Sequence, residues 1–177
     1  MASNFEQILT GGHPNSLGRT LEIVDQILDN PEDLEQLYQC YFSEDEVVRL
    51  RTSNAIKRIC KVHPQWVAPY LDRFLEEIIP IDQASTQWTL ATLFDWLDGF
   101  MSPQQKQRAL THLKHNLATH QDWIVLNTTM DTLGKWAQDD KRLLGWMTPH
   151  LKRLQADKRK SVAGKALKIS KKFDLHS

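Results

Sequence analysis

Cysteine is scarce in this chain: 177 residues contain two, Cys40 and Cys60. Two thiols cannot make the dense disulfide framework that holds small secreted domains together. Glycine and proline are also few, at seven each, and alternating runs of Val, Ile and Thr are rare. Together these shortages argue against sheets and point to helices. No apolar run approaches the roughly 20 residues that cross a bilayer, so no membrane association is expected. The opening stretch MASNFEQILTGGHPNS lacks a basic region followed by an apolar one, so no secretory leader is expected either. Nor does the whole chain lean to one charge, with 22 basic and 22 acidic residues. A cytoplasmic, monomeric protein with two reduced thiols is the resulting expectation.

What the chain does contain is ordinary globular material, 41% hydrophobic and 25% charged, which excludes disorder as its general state. Apolar residues recur at helical spacing almost throughout. Leu21, Val24, Ile27 and Leu28 mark one helix, with Asn15 or Ser16 as its expected cap. Pro31, Pro64 and Pro103 each stand where a helix should begin, a position at which a missing N–H costs little. Polar breaks near residues 80–84, 99–103, 118–122 and 138–140 separate about nine helices, with a further short one at Asn4–Leu9. No linker is long enough to suggest independent domains.

The chain also repeats itself. Val48, Thr52, Ala55, Ile56 and Ile59 stand at offsets 0, 4, 7, 8 and 11, and Val125, Thr129, Thr132, Leu133 and Trp136 share those offsets. Ser85, Thr89, Thr92, Leu93 and Trp96 do so as well. Weaker copies include Ala163, Ala166 and Leu167 downstream and Thr20, Val24 and Ile27 upstream. Small residues at the middle offsets allow a neighbouring helix to approach, and large ones fill the space beside it. Stacked helix pairs can then share one core. The segment EDEVVRLRTSNAIKRICKVHPQWVAPYLDRFL resembles a HEAT unit over its whole length, and residues 11–173 are similar to small bacterial HEAT-repeat proteins of undefined activity. That resemblance implies an all-α, right-handed superhelix of four to five helix pairs. Its segments would be a cap at 1–15, pairs at 16–43, 44–80, 81–119 and 120–156, and a capping helix at 157–173. Two second helices even share a phrase, WVAPYLDRFL from Trp66 and WMTPHLKRL from Trp146.

Few residues suggest chemistry. His112, His115 and His120 fall close together, but no carboxylate or thiolate joins them at a ligand spacing. The expectation is a solvated face and no metal. Cys40 and Cys60 read as buried structural thiols. Trp66, Trp96, Trp136 and Trp146 read as packing residues, leaving Trp88 and Trp123 partly exposed. Trp88, Asp95, Trp96 and Asp98 are similar in type to the Trp and Asp surface of HEAT-like DNA glycosylases. The match does not extend residue by residue. No catalytic group and no cofactor is expected.

Local charge is the strongest remaining feature. Lys152–Lys172 holds nine basic residues and one acid, whereas residues 1–151 hold 13 against 20. In the last helix Val162, Ala166, Ile169 and Phe173 form an apolar stripe. Lys158, Arg159, Lys160, Lys165, Lys168 and Lys172 are candidates to meet phosphates or an acidic partner. In HEAT arrays second helices line the concave face. The resemblance therefore implies a partner-binding row of Asp72, Arg73 and Glu76, then Thr111, His112 and His115, then Lys152 and Arg153. A non-catalytic scaffold with a protein partner is the reading these positions support. Binding of a nucleic-acid backbone through the basic end, within a DNA-repair-like HEAT protein, is the alternative.

Overall fold

The computed structural model describes residues 4–175, and among them every regular element is a helix. Helix α1 spans Asn4–Leu9, α2 Thr20–Asp29 and α3 Leu34–Gln39, the last framed by 3₁₀ turns at Pro31–Asp33 and Cys40–Phe42. Helix α4 is Glu46–Val62, followed by the short α5, Pro64–Val67, and α6, Leu71–Arg73. Helices α7 (Ala84–Trp96), α8 (Pro103–Thr119), α9 (Trp123–Trp136), α10 (Lys141–Gln155) and α11 (Lys160–Lys172) complete the order. No helix among the described residues is long and apolar enough to cross a membrane. The helices group into two compact units, Met1–Gln105 and Lys106–Ser177.

Helix starts follow local chemistry. The Asp45 carboxylate accepts from the Val47 amide at 2.8 Å, and Asp122 accepts from Ile124 and Val125 at 2.8 and 3.0 Å. Asp140 does the same for Arg142 and Leu143. Each such cap stabilises its helix by about 1 kcal/mol. Helix α2 differs from expectation. It begins at Thr20 with no side-chain cap, because residues 10–19 form a loop with another task.

The repeated offsets mark the core well. In α4 and α9 all five positions are buried, from Val48 to Ile59 and from Val125 to Trp136. In α7 Ser85, Thr89 and Leu93 are buried, but Thr92 is half-buried and Trp96 at the helix end is 36% exposed, and in α11 Leu167 is exposed. Within the amino-terminal unit α4 packs on α2 and α7, so the pattern-bearing helices meet directly. Within the carboxy-terminal unit α11 packs on α9 and α10. Each fully buried Val, Leu or Ile is worth roughly 1.5–3 kcal/mol in these seams.

The shared phrase folds in two ways. After Trp66 the chain passes through a 3₁₀ turn at Ala68–Tyr70, the single turn of α6, and a π-helical turn at Phe74–Ile78. After Trp146 it continues as one α-helix, with Pro149 inside α10. A proline ring crowds the carbonyl four residues earlier. That residue is Gly145 in α10 and Gln65 in the first copy. Glycine relaxes its backbone more freely, which helps the second helix absorb its proline without breaking.

Candidate functional site: a cationic cleft and a closed cation

The two units divide the chain's charge. Met1–Gln105 contains seven basic and sixteen acidic residues, a balance of −9, and Lys106–Ser177 contains fifteen and six, a balance of +9. The neutral total therefore hides two oppositely charged bodies.

In the acidic unit the most notable cation is Arg51. It lies on the same helical face as Val48, Thr52 and Ala55 and is 1% exposed. No carboxylate meets it among the described residues. Instead Nη1 donates to the carbonyls of Leu9 and Gly11 at 2.7 and 2.6 Å, Nη2 to His13 at 3.2 Å, and Nε to Ser16 at 3.2 Å. The loop is shaped for this purpose. Gly11, Gly12 and Gly18 have positive φ, and a Cβ at Gly18 would lie 2.8 Å from the Arg51 Cζ. The sequence carried a signal for it, since an arginine three residues after Val48 falls on the apolar face.

The expected partner-binding residues divide between the units. In the first unit Asp72 is exposed and accepts from Gln105 at 2.9 Å, and Glu76 is exposed. Arg73 is enclosed. Its guanidinium lies 4.0 Å from the Tyr38 ring centroid and 5.4 Å from that of Tyr70, pairing with Glu35 at 2.7 Å and Glu77 at 3.4 Å. The hydrogen bond from Arg73 holds the Glu35 carboxyl below its usual range, and burial pushes the Tyr70 hydroxyl up to about 12. Arg73 thus knits the unit's own helices together.

In the second unit Thr111, His115 and Lys152 are exposed. His112 departs from the expected solvated face. It is half-buried, its Nε2 lies 3.3 Å from the Asn116 amide nitrogen, and burial with the neighbouring His115 and His120 lowers its pKa to about 4. The ring is neutral at pH 7. Arg153 is exposed but donates to the Leu117 carbonyl at 3.0 Å.

The basic candidates also separate by role. Arg159 is bound to Asp157 at 2.8 Å and to the Gln121 carbonyl, and its hydrogen bonds pull the Asp157 carboxyl down to about 2. That arginine closes the turn before α11. Lys158 and Lys160 are exposed on either side of it. Lys165 pairs with Asp131 of α9 at 2.8 and 3.0 Å. Lys168 and Lys172 are exposed and, with Lys171, have no ion-pair partner among the described residues.

These last lysines share a cleft between α9 and α11, of about 510 Å³. Gly134, Ile169 and Phe173 line it together with Asp131 and Lys135, Lys165, Lys168, Lys171 and Lys172. Gly134 lets α11 come close, since a Cβ there would already touch Ile169 at 3.6 Å. Lys135 and Lys171 were not among the expected residues. Lys135 stands one turn after Asp131, the available signal, but only the packing of α11 on α9 shows that the two helices contribute to one opening. A second cavity of about 650 Å³ includes Lys152, Gln155, Ser170 and Asp174.

Other sequence candidates settle into structural surroundings. Cys40 is buried and its thiol donates to the Gln36 carbonyl at 3.4 Å, while burial lifts the Cys60 thiol to about 12. Trp136 is buried with Lys106 3.7 Å from its ring centroid. Trp66 and Trp146 are only half-buried, contrary to their assignment as packing residues. Each lies against a histidine, His63 at 3.8 Å and His150 at 4.3 Å between ring centroids. Trp88 and Asp95 lie seven residues apart on one half-exposed face of α7. The unit that carries them is strongly acidic, which opposes approach of a phosphate backbone. Trp123 is 48% exposed.

With this geometry established, comparison with known proteins adds no assignment: no family model, curated protein or solved structure matches the chain.

Proposed function

We propose that this chain is a non-catalytic HEAT-like interaction module, a right-handed superhelix of helix pairs that recruits a protein partner by charge. The observation that carries this reading is the division of a neutral chain into units of −9 and +9. Solubility alone does not call for such a division, and complementary fields are what steer protein association. The direct packing of α4 on α2 and α7, and of α11 on α9, supports the repeat reading. Asp72 and Glu76 would serve a basic part of the partner, and Lys152 and Lys158 an acidic part.

Affinity purification of the wild-type chain beside a Lys152→Glu, Lys158→Glu variant tests the proposal. A protein recovered with the wild type and lost with the variant is the expected result. Equal recovery by both, or by an Asp72→Lys, Glu76→Lys variant as well, overturns it.

Backbone binding to nucleic acid is the second reading, favoured by fifteen basic residues in Lys106–Ser177. It requires duplex affinity that falls steeply with added salt. No measurable binding at low salt removes it.

A further inference from the structure

The cleft between α9 and α11 suggests a ligand of its own, independent of any protein partner. A solvated helix surface needs lysines, but it has no need to converge them. Here α11 contributes Lys165, Lys168, Lys171 and Lys172 to an opening that α9 meets with Lys135, and a single carboxylate, Asp131, stands among them. That carboxylate is already bound to Lys165. Lys168, Lys171 and Lys172 of this lining have no ion-pair partner among the described residues, so an anion in the cleft meets ammonium groups that no carboxylate neutralises. Lysine is a strong phosphate binder because its compact charge and three donors can meet oxygens from several directions.

The shape adds a second requirement. The cleft is also lined by the buried Gly134 and Ile169 and by the half-buried ring of Phe173. At about 510 Å³ it falls in the range that holds a small molecule, of order 300–1,000 Å³. We propose that this cleft binds a small molecule bearing a di- or triphosphate group, with its phosphates among Lys168, Lys171 and Lys172 and any organic body against Phe173. The Lys165–Asp131 pair ties α11 to α9 at the cleft.

Titration of the full chain at low salt, without divalent cations, tests this by backbone-amide NMR with three probes: adenosine triphosphate, inorganic tripolyphosphate and adenosine. Both phosphates should shift the signals of Gly134, Lys135, Ile169 and Phe173, and adenosine should shift none. Tighter binding of adenosine triphosphate identifies an organic phosphate as the source, and equal affinity identifies inorganic polyphosphate. A Lys168→Glu, Lys172→Glu variant, with both changes at exposed helical positions, should weaken either phosphate by about tenfold or more, while circular dichroism confirms that it folds. Lys168→Arg, Lys172→Arg should retain binding. The proposal is overturned if the phosphates shift no signal in the cleft, or if shifts spread evenly over lysines outside it. It is also overturned if charge reversal leaves affinity unchanged, or if a DNA duplex binds the same lysines more tightly than either phosphate.

Discussion

The amino-terminal unit closes a cation in, and the carboxy-terminal unit leaves cations in an open cleft. Arg51 has four backbone carbonyls around its guanidinium and almost no contact with water, whereas Lys168, Lys171 and Lys172 have no ion-pair partner among the described residues. The first arrangement is complete. Its donors are satisfied by the chain itself, and its consequence is stability. In the second the charges face outward, and burial does not explain them. A charge count alone cannot distinguish these two uses of a basic residue; the acceptors around each one can.

The largest expected effect comes from breaking the closed site. Arg51→Met removes all four hydrogen bonds and strands the carbonyls of Leu9, Gly11, His13 and Ser16, at about 1–3 kcal/mol for each group that stays dry. A loss of roughly 4 kcal/mol in chemical denaturation is expected, against a change within about 0.5 kcal/mol for Lys168→Met, an exposed lysine in the open cleft. Comparable losses at the two sites would remove the distinction. Gly18→Ala attacks the same site from the loop. The added methyl would lie 2.8 Å from the Arg51 Cζ at a residue with φ +53°, so a destabilisation of about 2 kcal/mol is expected. A midpoint equal to that of Gly11→Ala, where a Cβ meets nothing within 4 Å, would show that steric closure at Arg51 is unimportant.

Acid should act on the second unit through His112. Its folded pKa of about 4 lies below the unfolded value of about 6.5. Between these values the unfolded chain binds a proton that the folded chain refuses. Stability is therefore unaffected above about pH 6.5 and falls as pH drops toward 4, by on the order of 2 kcal/mol. His112→Gln should flatten that part of the pH profile in denaturation experiments, and an unchanged slope would assign the titration elsewhere. The shared phrase offers the smallest contrast. Pro149→Ala restores a hydrogen bond within a continuous helix and should stabilise by about 1 kcal/mol, whereas Pro69→Ala, in a 3₁₀ turn, should change stability by less than about 0.5 kcal/mol. Thermal melts of the two variants compare them, and equal shifts would mean the broken and unbroken helices treat proline alike.

Much of the helical framework was legible because small and large residues alternate in register. The offsets of Val48 and Val125 mark buried faces, and Pro64 and Pro103 open helices. Legibility ended where a residue's role depends on a distant partner. Arg73 reads as an outward charge until Tyr38, Glu35 and Tyr70 meet it. Arg159 reads as a phosphate ligand until Asp157 and Gln121 occupy it. Trp66 and Trp146 repeat at core-like spacing, but each lies on the outer part of its helix against a histidine ring. Lysine counts indicated that the last helix was basic. They did not indicate the cleft, which requires Lys135 and Gly134 from a helix about thirty residues earlier.

The loop around Arg51 has a kinetic consequence. Its acceptors, from Leu9 to Ser16, all depend on one side chain, so no single carbonyl can leave without disturbing the geometry of the others. Docking of this segment is therefore cooperative. Its amides belong to one opening event, separate from the fraying of a free terminus, with a lifetime set by a guanidinium more than thirty residues away in sequence.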